Sequence, residues 1–175
     1  MQIQKGVDED GEPVVQKSSD PFPGYFISAS ALEDNTKGKY DPRRYVDSAK
    51  IPYIVLPGNQ LIRDTGARLG DFAAVYNGNN GKFSYAICAD IGPSQKIGEG
   101  SIALAQALGH NPFVRGKVQV GIDDDVLYVV FPRSQNASKA WSSEWSVDDV
   151  NKQAEKHFIN WCGMQRIQAC LTELR

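Results

Sequence analysis

Residues 85–109 decide the architecture. Tyr85-Ala86-Ile87-Cys88-Ala89-Asp90-Ile91-Gly92-Pro93 is followed by a polar loop, then by Gly98-Glu99-Gly100-Ser101 and Ile102-Ala103-Leu104-Ala105-Gln106-Ala107-Leu108-Gly109. The first part is an apolar run of strand length, and Gly92-Pro93 turns the chain at its end. The last part predicts a short helix, with Ser101 as N-cap and Gly109 just past its C-terminus. This order sets two carboxyls, Asp90 and Glu99, on opposite sides of one loop. Asp90 stands where a strand leaves the core and meets a cleft. Gly98 and Gly100 flank Glu99 with minimal bulk, so a ligand can approach the backbone closely. Paired carboxyls are the minimum equipment for glycoside hydrolysis, one protonating the leaving oxygen while the other activates water or attacks. An Asp after a strand and a Glu before a helix are also common caps, and both readings stay open on these residues alone.

On either side of this stretch the chain alternates short apolar runs with turns. Tyr25-Phe26-Ile27, Pro52 to Leu56, Phe72 to Tyr76, Phe83 to Ala89, Lys117 to Ile122 and Val126 to Phe131 read as strands. Asn77-Gly78-Asn79-Asn80-Gly81 has the composition of a hairpin turn. Asp123-Asp124-Asp125 reads as a solvated turn, since consecutive carboxylates at a hairpin tip point in different directions. A second helix starts at Ser146, with Asp149 three residues on as a capping partner. Val147, Val150, Ala154, Phe158 and Trp161 give it one apolar face, as a helix packed outside a sheet needs. These elements predict a mainly β, α+β fold in a single domain: an arm over 1–23, a β core over 24–132 and a helical extension over 133–175.

Composition bounds the classes of function. The 175 residues suit one domain, and a chain of this length buries about 70% of its unfolded surface without staples. Hydrophobic residues make up 41% and charged residues 23%, the composition of an ordinary globule. With 19 basic and 21 acidic residues the net charge is −2, which disfavours a phosphate-tracking nucleic-acid binder. No apolar run reaches membrane-spanning length, and Met1-Gln2-Ile3-Gln4-Lys5 shows no apolar leader. Two His, far apart, and three Cys without a Cys-x-x-Cys pair offer too few ligands for zinc, so neither metal nor cofactor is expected. Cys88 reads as a small buried hydrophobe. Cys162 and Cys170 would lie about 12 Å apart on one continuous helix, too far to bridge unless Gly163 breaks it.

Four segments together carry a resemblance: Ile51-Pro52-Tyr53-Ile54-Val55-Leu56-Pro57, Leu69-Gly70-Asp71, Ala89-Asp90-Ile91-Gly92-Pro93, and Gly98-Glu99-Gly100-Ser101-Ile102-Ala103-Leu104-Ala105. In order and spacing they resemble glycoside hydrolase family 75, the fungal-type chitosanases, over about residues 24–132. The segment from Trp141 to Arg175 finds no counterpart in the resemblance. The Asp-x-Gly-Pro turn and the Ser-capped helix are also similar to the double-psi β-barrel signature of expansin-like and lytic-transglycosylase-like proteins. The resemblance implies a six-stranded double-psi barrel with an open polysaccharide groove. It implies endo-hydrolysis of β-1,4-linked glucosamine with inversion, and it matches the family's essential Asp and Glu to Asp90 and Glu99. Secretion or another extracytoplasmic location follows from the same likeness.

Under that reading Asp90, at the end of a buried strand, is the acid and Glu99 the base. Asp71 is a candidate for positioning water or substrate. A polycationic substrate needs further carboxylates, and Asp41, Asp47 and Asp64 are available on loops. Tyr25, Tyr45, Tyr53 and Tyr76 are candidate sugar platforms, each with core packing as its alternative, and Trp141 and Trp145 either stack a sugar or pin the helix. The expected substrate-binding set is Asp71, Tyr53, Asp41 and Tyr45. The expected partner is a polysaccharide, with no nucleic acid and no membrane, and the expected state is a monomer. Two alternatives remain, a peptidoglycan-directed glycosidase or lytic enzyme and a non-catalytic polysaccharide-binding barrel.

Overall fold

In chain order the elements are β1 (Tyr53–Pro57), α1 (Gln60–Thr65), β2 (Phe72–Asn77), β3 (Phe83–Gly92), α2 (Ile102–Ala107), β4 (Phe113–Val114), β5 (Lys117–Val118), β6 (Val126–Phe131), α3 (Val147–Asn160) and α4 (Gly163–Glu173). A 3-10 turn at Pro42–Arg44 precedes them. The structure is a computed structural model that describes residues 8, 10–20, 23–58, 60–118, 121–122, 125–135, 141–142 and 145–173.

The apolar run ending at Gly92 forms β3, an interior strand of a four-stranded mixed sheet ordered β1-β3-β2-β6. β1 runs parallel to β3, and the other two pairs are antiparallel. Alternation along the strands divides the core in two. Phe72, Ala74, Tyr76 and Ile87 face α3 and α4, where Val150, Ala154, Phe158 and Ile167 are buried against them. Ala73, Val75, Ala86 and Cys88 face the other way with Ile54 and Leu56, under Leu104 and Leu108 at the end of α2. Burying each large apolar side chain in these layers stabilises by roughly 1.5–3 kcal/mol. Phe83 and Tyr85 lock α3 in place, their rings 4.9 and 5.7 Å from that of Phe158.

Local signals set the helix ends. Ser101 Oγ accepts the Leu104 N–H at 3.0 Å and starts α2. Ser146 and Asp149 form a reciprocal capping box at the start of α3. Gly163 does break the C-terminal helix: Cys162 and Gly163 adopt φ of 78° and 56°, which ends α3 and starts α4 in a new direction. The thiols of Cys162 and Cys170 are free, and so is that of Cys88 in the core.

Two expectations need correcting. Helix and strand contents are about equal, so the fold is α+β rather than mainly β. Six strands form among the described residues, but four make the main sheet and two make a separate ribbon, so the expected six-stranded double-psi barrel gives way to a mixed four-stranded sheet. The ribbon closes on itself because Arg115 and Gly116 take φ of 50° and 74°, the paired positive values of a tight hairpin turn, so β4 and β5 hydrogen-bond each other. Of the strand expected over 117–122, residues 119–120 lie outside the described residues, as do Asp123 and Asp124. Among the described residues no helix is long and apolar enough to cross a membrane.

Candidate active site

A β-bulge aims Asp90. β1 and β3 pair as Tyr53↔Ile87 and Ile54↔Cys88, then skip Ala89 and resume as Val55↔Asp90, Leu56↔Ile91 and Pro57↔Gly92. Ala89 is the extra residue, and its carbonyl accepts the Leu32 N–H at 2.8 Å. Without the bulge, alternation would send Asp90 to the face of Ala86 and Cys88, into the closed core. With it, Asp90 shares the face of Tyr53 and Val55.

The Gly-flanked loop brings Glu99 to the same face from the other side of β1. Gly100 bridges Ile54 in antiparallel fashion. Val55 N–H donates to the Glu99 carbonyl and Ser101 N–H to the Tyr53 carbonyl, each at 3.0 Å. Tyr53 N–H in turn donates to Ser101 Oγ at 3.0 Å, so the helix cap also fixes the loop. Glu99, Val55 and Asp90 therefore form a row across three adjacent chain segments. Two inter-strand spacings set the outer Cα atoms about 9.5 Å apart. The Glu99 carboxylate lies over Gly92: a Cβ there would stand 3.0 Å from Glu99 Oε2. Gly92 is two residues beyond Asp90 on one face, about 6.6 Å along the strand. On the opposite face a Cβ at Gly100 would meet Leu104 Cδ2 at 2.9 Å and the Tyr53 carbonyl at 3.0 Å. The glycine before Ser101 is thus required by packing.

The two carboxyls differ in surroundings. Asp90 is half-buried, and its Oδ1 accepts N–H bonds from Ala31 at 3.1 Å and Ile91 at 2.9 Å. Glu99 is half-buried too, and its carboxylate meets no hydrogen-bond donor among the described residues. Beside it is Tyr128, whose hydroxyl is pushed up to about 12 by burial and then by the Glu99 charge. The Tyr53 hydroxyl is also pushed up to about 12, by burial first and then by Asp90 and Asp47. Both phenols stay protonated, as donors, throughout the range in which carboxyl chemistry operates.

The expected substrate-binding residues are scattered. Tyr53 stands beside Asp90. Asp71 is fully buried on the β2 side of β3, where its carboxylate accepts backbone N–H bonds from Arg68 at 2.9 Å, Arg133 at 3.0 Å and Gln135 at 3.1 Å. That environment ties the turn after β6 to the turn before β2 and leaves no face for a sugar. Asp41 caps the 3-10 turn and holds Arg43 by two hydrogen bonds of 2.8 Å, which commit its charge locally and keep its carboxyl below the usual range. Tyr45 donates its hydroxyl to the Lys39 carbonyl at 2.9 Å and lines a neighbouring cavity with Asp47.

The Ala89 bulge, the Ala31 N–H and Gly92 complete the site, and the first two carry no local sequence signal as functional features. Only Gly92, two residues after Asp90 on a strand, could have suggested a close approach. Among the described residues no three His, Cys, Asp or Glu side chains converge as a metal site would require.

A family model described as fungal chitosanase of glycosyl hydrolase group 75 matches residues 7–164. The match takes in the N-terminal arm and all of α3, so the likeness extends past residues 24–132 in both directions. No curated protein matches the chain.

Proposed function

The chain belongs to the glycosyl hydrolase group 75 family of fungal chitosanases, and from that premise we propose that it cleaves β-1,4-linked glucosamine polymers internally, with inversion, using Asp90 and Glu99 as its acid–base pair. The observation that carries this reading is the row Glu99–Val55–Asp90, whose register puts both carboxyl-bearing residues on one face of the sheet with Val55 between them. Inverting enzymes hold their carboxyls roughly 6.5–9.5 Å apart to admit a water. The spacing of the row and the reach of Glu99 toward Gly92 are compatible with that range.

Hydrogen bonding supports a division of labour opposite to the one expected from sequence. Two backbone N–H donors fix Asp90 Oδ1 and suit it to accept a proton from the attacking water. Glu99, without a donor among the described residues and near half-buried Tyr128, suits the proton-giving role at the leaving oxygen. Tyr53, protonated and beside Asp90, is suited to donate a hydrogen bond to a substrate hydroxyl. No step requires a metal or organic cofactor. Chitosan and related amino-sugar glycans are cell-wall polymers, and on that ground we propose that the protein acts outside the cytoplasm.

The test is reducing-end release from chitosan, chitin and peptidoglycan by the intact protein. Release from chitosan, lost in Asp90→Asn and in Glu99→Gln, supports the proposal. Release only from peptidoglycan would redirect it to another amino-sugar glycan, and glycan binding without release would overturn it.

A further inference from the structure

Beyond the start of β1, away from the carboxylate row, lies a cavity of about 450 Å³, a size usual for sites that take small ligands or single sugar units. Aromatic side chains dominate its wall: Tyr25, Phe26, Tyr45, Phe113, Trp141 and Trp145. Tyr25 and Phe26 are 69% and 47% exposed, although the backbone that carries them is fixed by the Val15↔Phe26 bridge. Large rigid rings presented to solvent around a concavity offer broad contact at small entropic cost, the property that suits aromatics to binding surfaces.

The charges of the wall select the kind of sugar. Arg43 and Lys50 are its cations and Asp47 is its carboxylate. Asp47 is already engaged by Lys50 Nζ at 3.3 Å and by the Ala49 N–H at 3.0 Å. The anion that balances Arg43 is Asp41, which does not line the cavity. An incoming ammonium would find no uncompensated carboxylate on this wall, so a charged glucosamine unit is disfavoured there. A neutral acetamido group meets no such penalty. Trp141 lines the cavity while its indole N–H is buried without an acceptor among the described residues.

We propose that this cavity is a subsite for an N-acetylated amino-sugar unit, remote from the bond that is cut. Its place along the substrate rests on the glycosidase reading, whereas the ligand class follows from the wall itself. Ile51 lines the cavity, Tyr53 follows two residues on, and Val55 of the carboxylate row two beyond that. Four residues of extended chain span about 13 Å, a distance of a few pyranose rings. Tyr53 senses the charges of both Asp90 and Asp47, which sets it between the two regions. Partially acetylated polymer is then bound with its acetylated units in a preferred position relative to the cut.

Binding without turnover tests this. The full chain carrying Glu99→Gln is titrated with the N-acetylglucosamine trimer and, separately, with the glucosamine trimer, while the tryptophan indole N–H signals are followed by NMR. The acetylated trimer is expected to shift the Trp141 signal and to bind about tenfold more tightly, a difference of about 1.4 kcal/mol. Tyr25→Ala, which truncates an exposed side chain, is expected to abolish that preference. Equal or tighter binding of the glucosamine trimer, or a preference unchanged by Tyr25→Ala, overturns the proposal. Failure of the wild-type protein to cleave chitosan would count against the catalytic reading and leave this binding result standing.

Discussion

The carboxylate of Glu99 fills the space that a side chain at Gly92 would occupy, Oε2 standing 3.0 Å from the position of a Cβ there. Val55 Cγ1 is 3.1 Å from the same point, so the intruding carbon would press on both side chains. Gly92→Ala is therefore expected to displace the Glu99 carboxylate while leaving the strand intact. Displacements of about 1 Å at a reacting group cost up to about 10²-fold in rate. The predicted result is a kcat lowered about 10- to 100-fold, with KM and the circular dichroism spectrum little changed. A fully active Gly92→Ala protein would mean that the Glu99 position does not matter.

The proposed roles of the two carboxyls separate under different leaving groups. Asp90→Asn and Glu99→Gln are each expected to lower kcat on chitosan by about 10²–10⁴-fold, the usual contribution of a positioned acid or base. A glucosamine oligomer bearing a fluoride leaving group needs no proton from an acid. On that substrate Glu99→Gln should recover most of its loss and Asp90→Asn should not. Recovery in Asp90→Asn alone would exchange the two roles.

Asp71 is expected to act on stability and not on catalysis. Both of its oxygens accept backbone N–H bonds in a fully buried site, so Asp71→Asn sets an amide donor against another donor. The expected loss is about 3 kcal/mol, or roughly 10 °C in Tm for a chain of this size. Activity at a temperature where the variant remains folded should stay within about twofold of wild type. A large rise in KM with unchanged Tm would return Asp71 to the substrate.

Acid sensitivity follows from Glu33. The side-chain hydrogen bonds from Arg44, at 2.8 and 2.6 Å, hold its carboxyl below the usual range. A depressed carboxyl stabilises the fold fully above its unfolded pKa, about 4.3, and loses that contribution as pH falls through the folded value. Tm should thus be flat above about pH 5 and decline below pH 4, and Glu33→Gln should reduce that decline. An unchanged slope in the variant would remove Glu33 from the account.

How far the sequence disclosed all this depends on the range of each interaction. Ser101, Gly109, Ser146 and Asp149 act on their own turn of helix, so their capping roles were legible. The loop carrying Glu99 and the strand end carrying Asp90 were legible for the same reason. α1 was not, because six residues are too few to show a helical period. The bulge at Ala89 was hidden as well: it depends on the register of β1 and on an N–H from Leu32, 57 positions earlier. Asp71 read as a candidate for positioning water or substrate, and Asp41 as a groove carboxylate, because nothing local reveals that Gln135 and Arg133 close over the first, and only the folded turn shows Arg43 committing the second. The barrel expectation missed that Tyr25-Phe26-Ile27 would make only an isolated bridge and that β4 would form and pair with β5.

Product stereochemistry tests the central claim most directly. Proton NMR of the wild-type protein acting on chitosan, recorded before mutarotation equilibrates the ends, reports the anomer first released. The Asp90–Glu99 arrangement predicts the α-anomer from the β-linked polymer, with no signal from either Asp90→Asn or Glu99→Gln. Initial release of the β-anomer, or α-anomer formation that survives both substitutions, would contradict it.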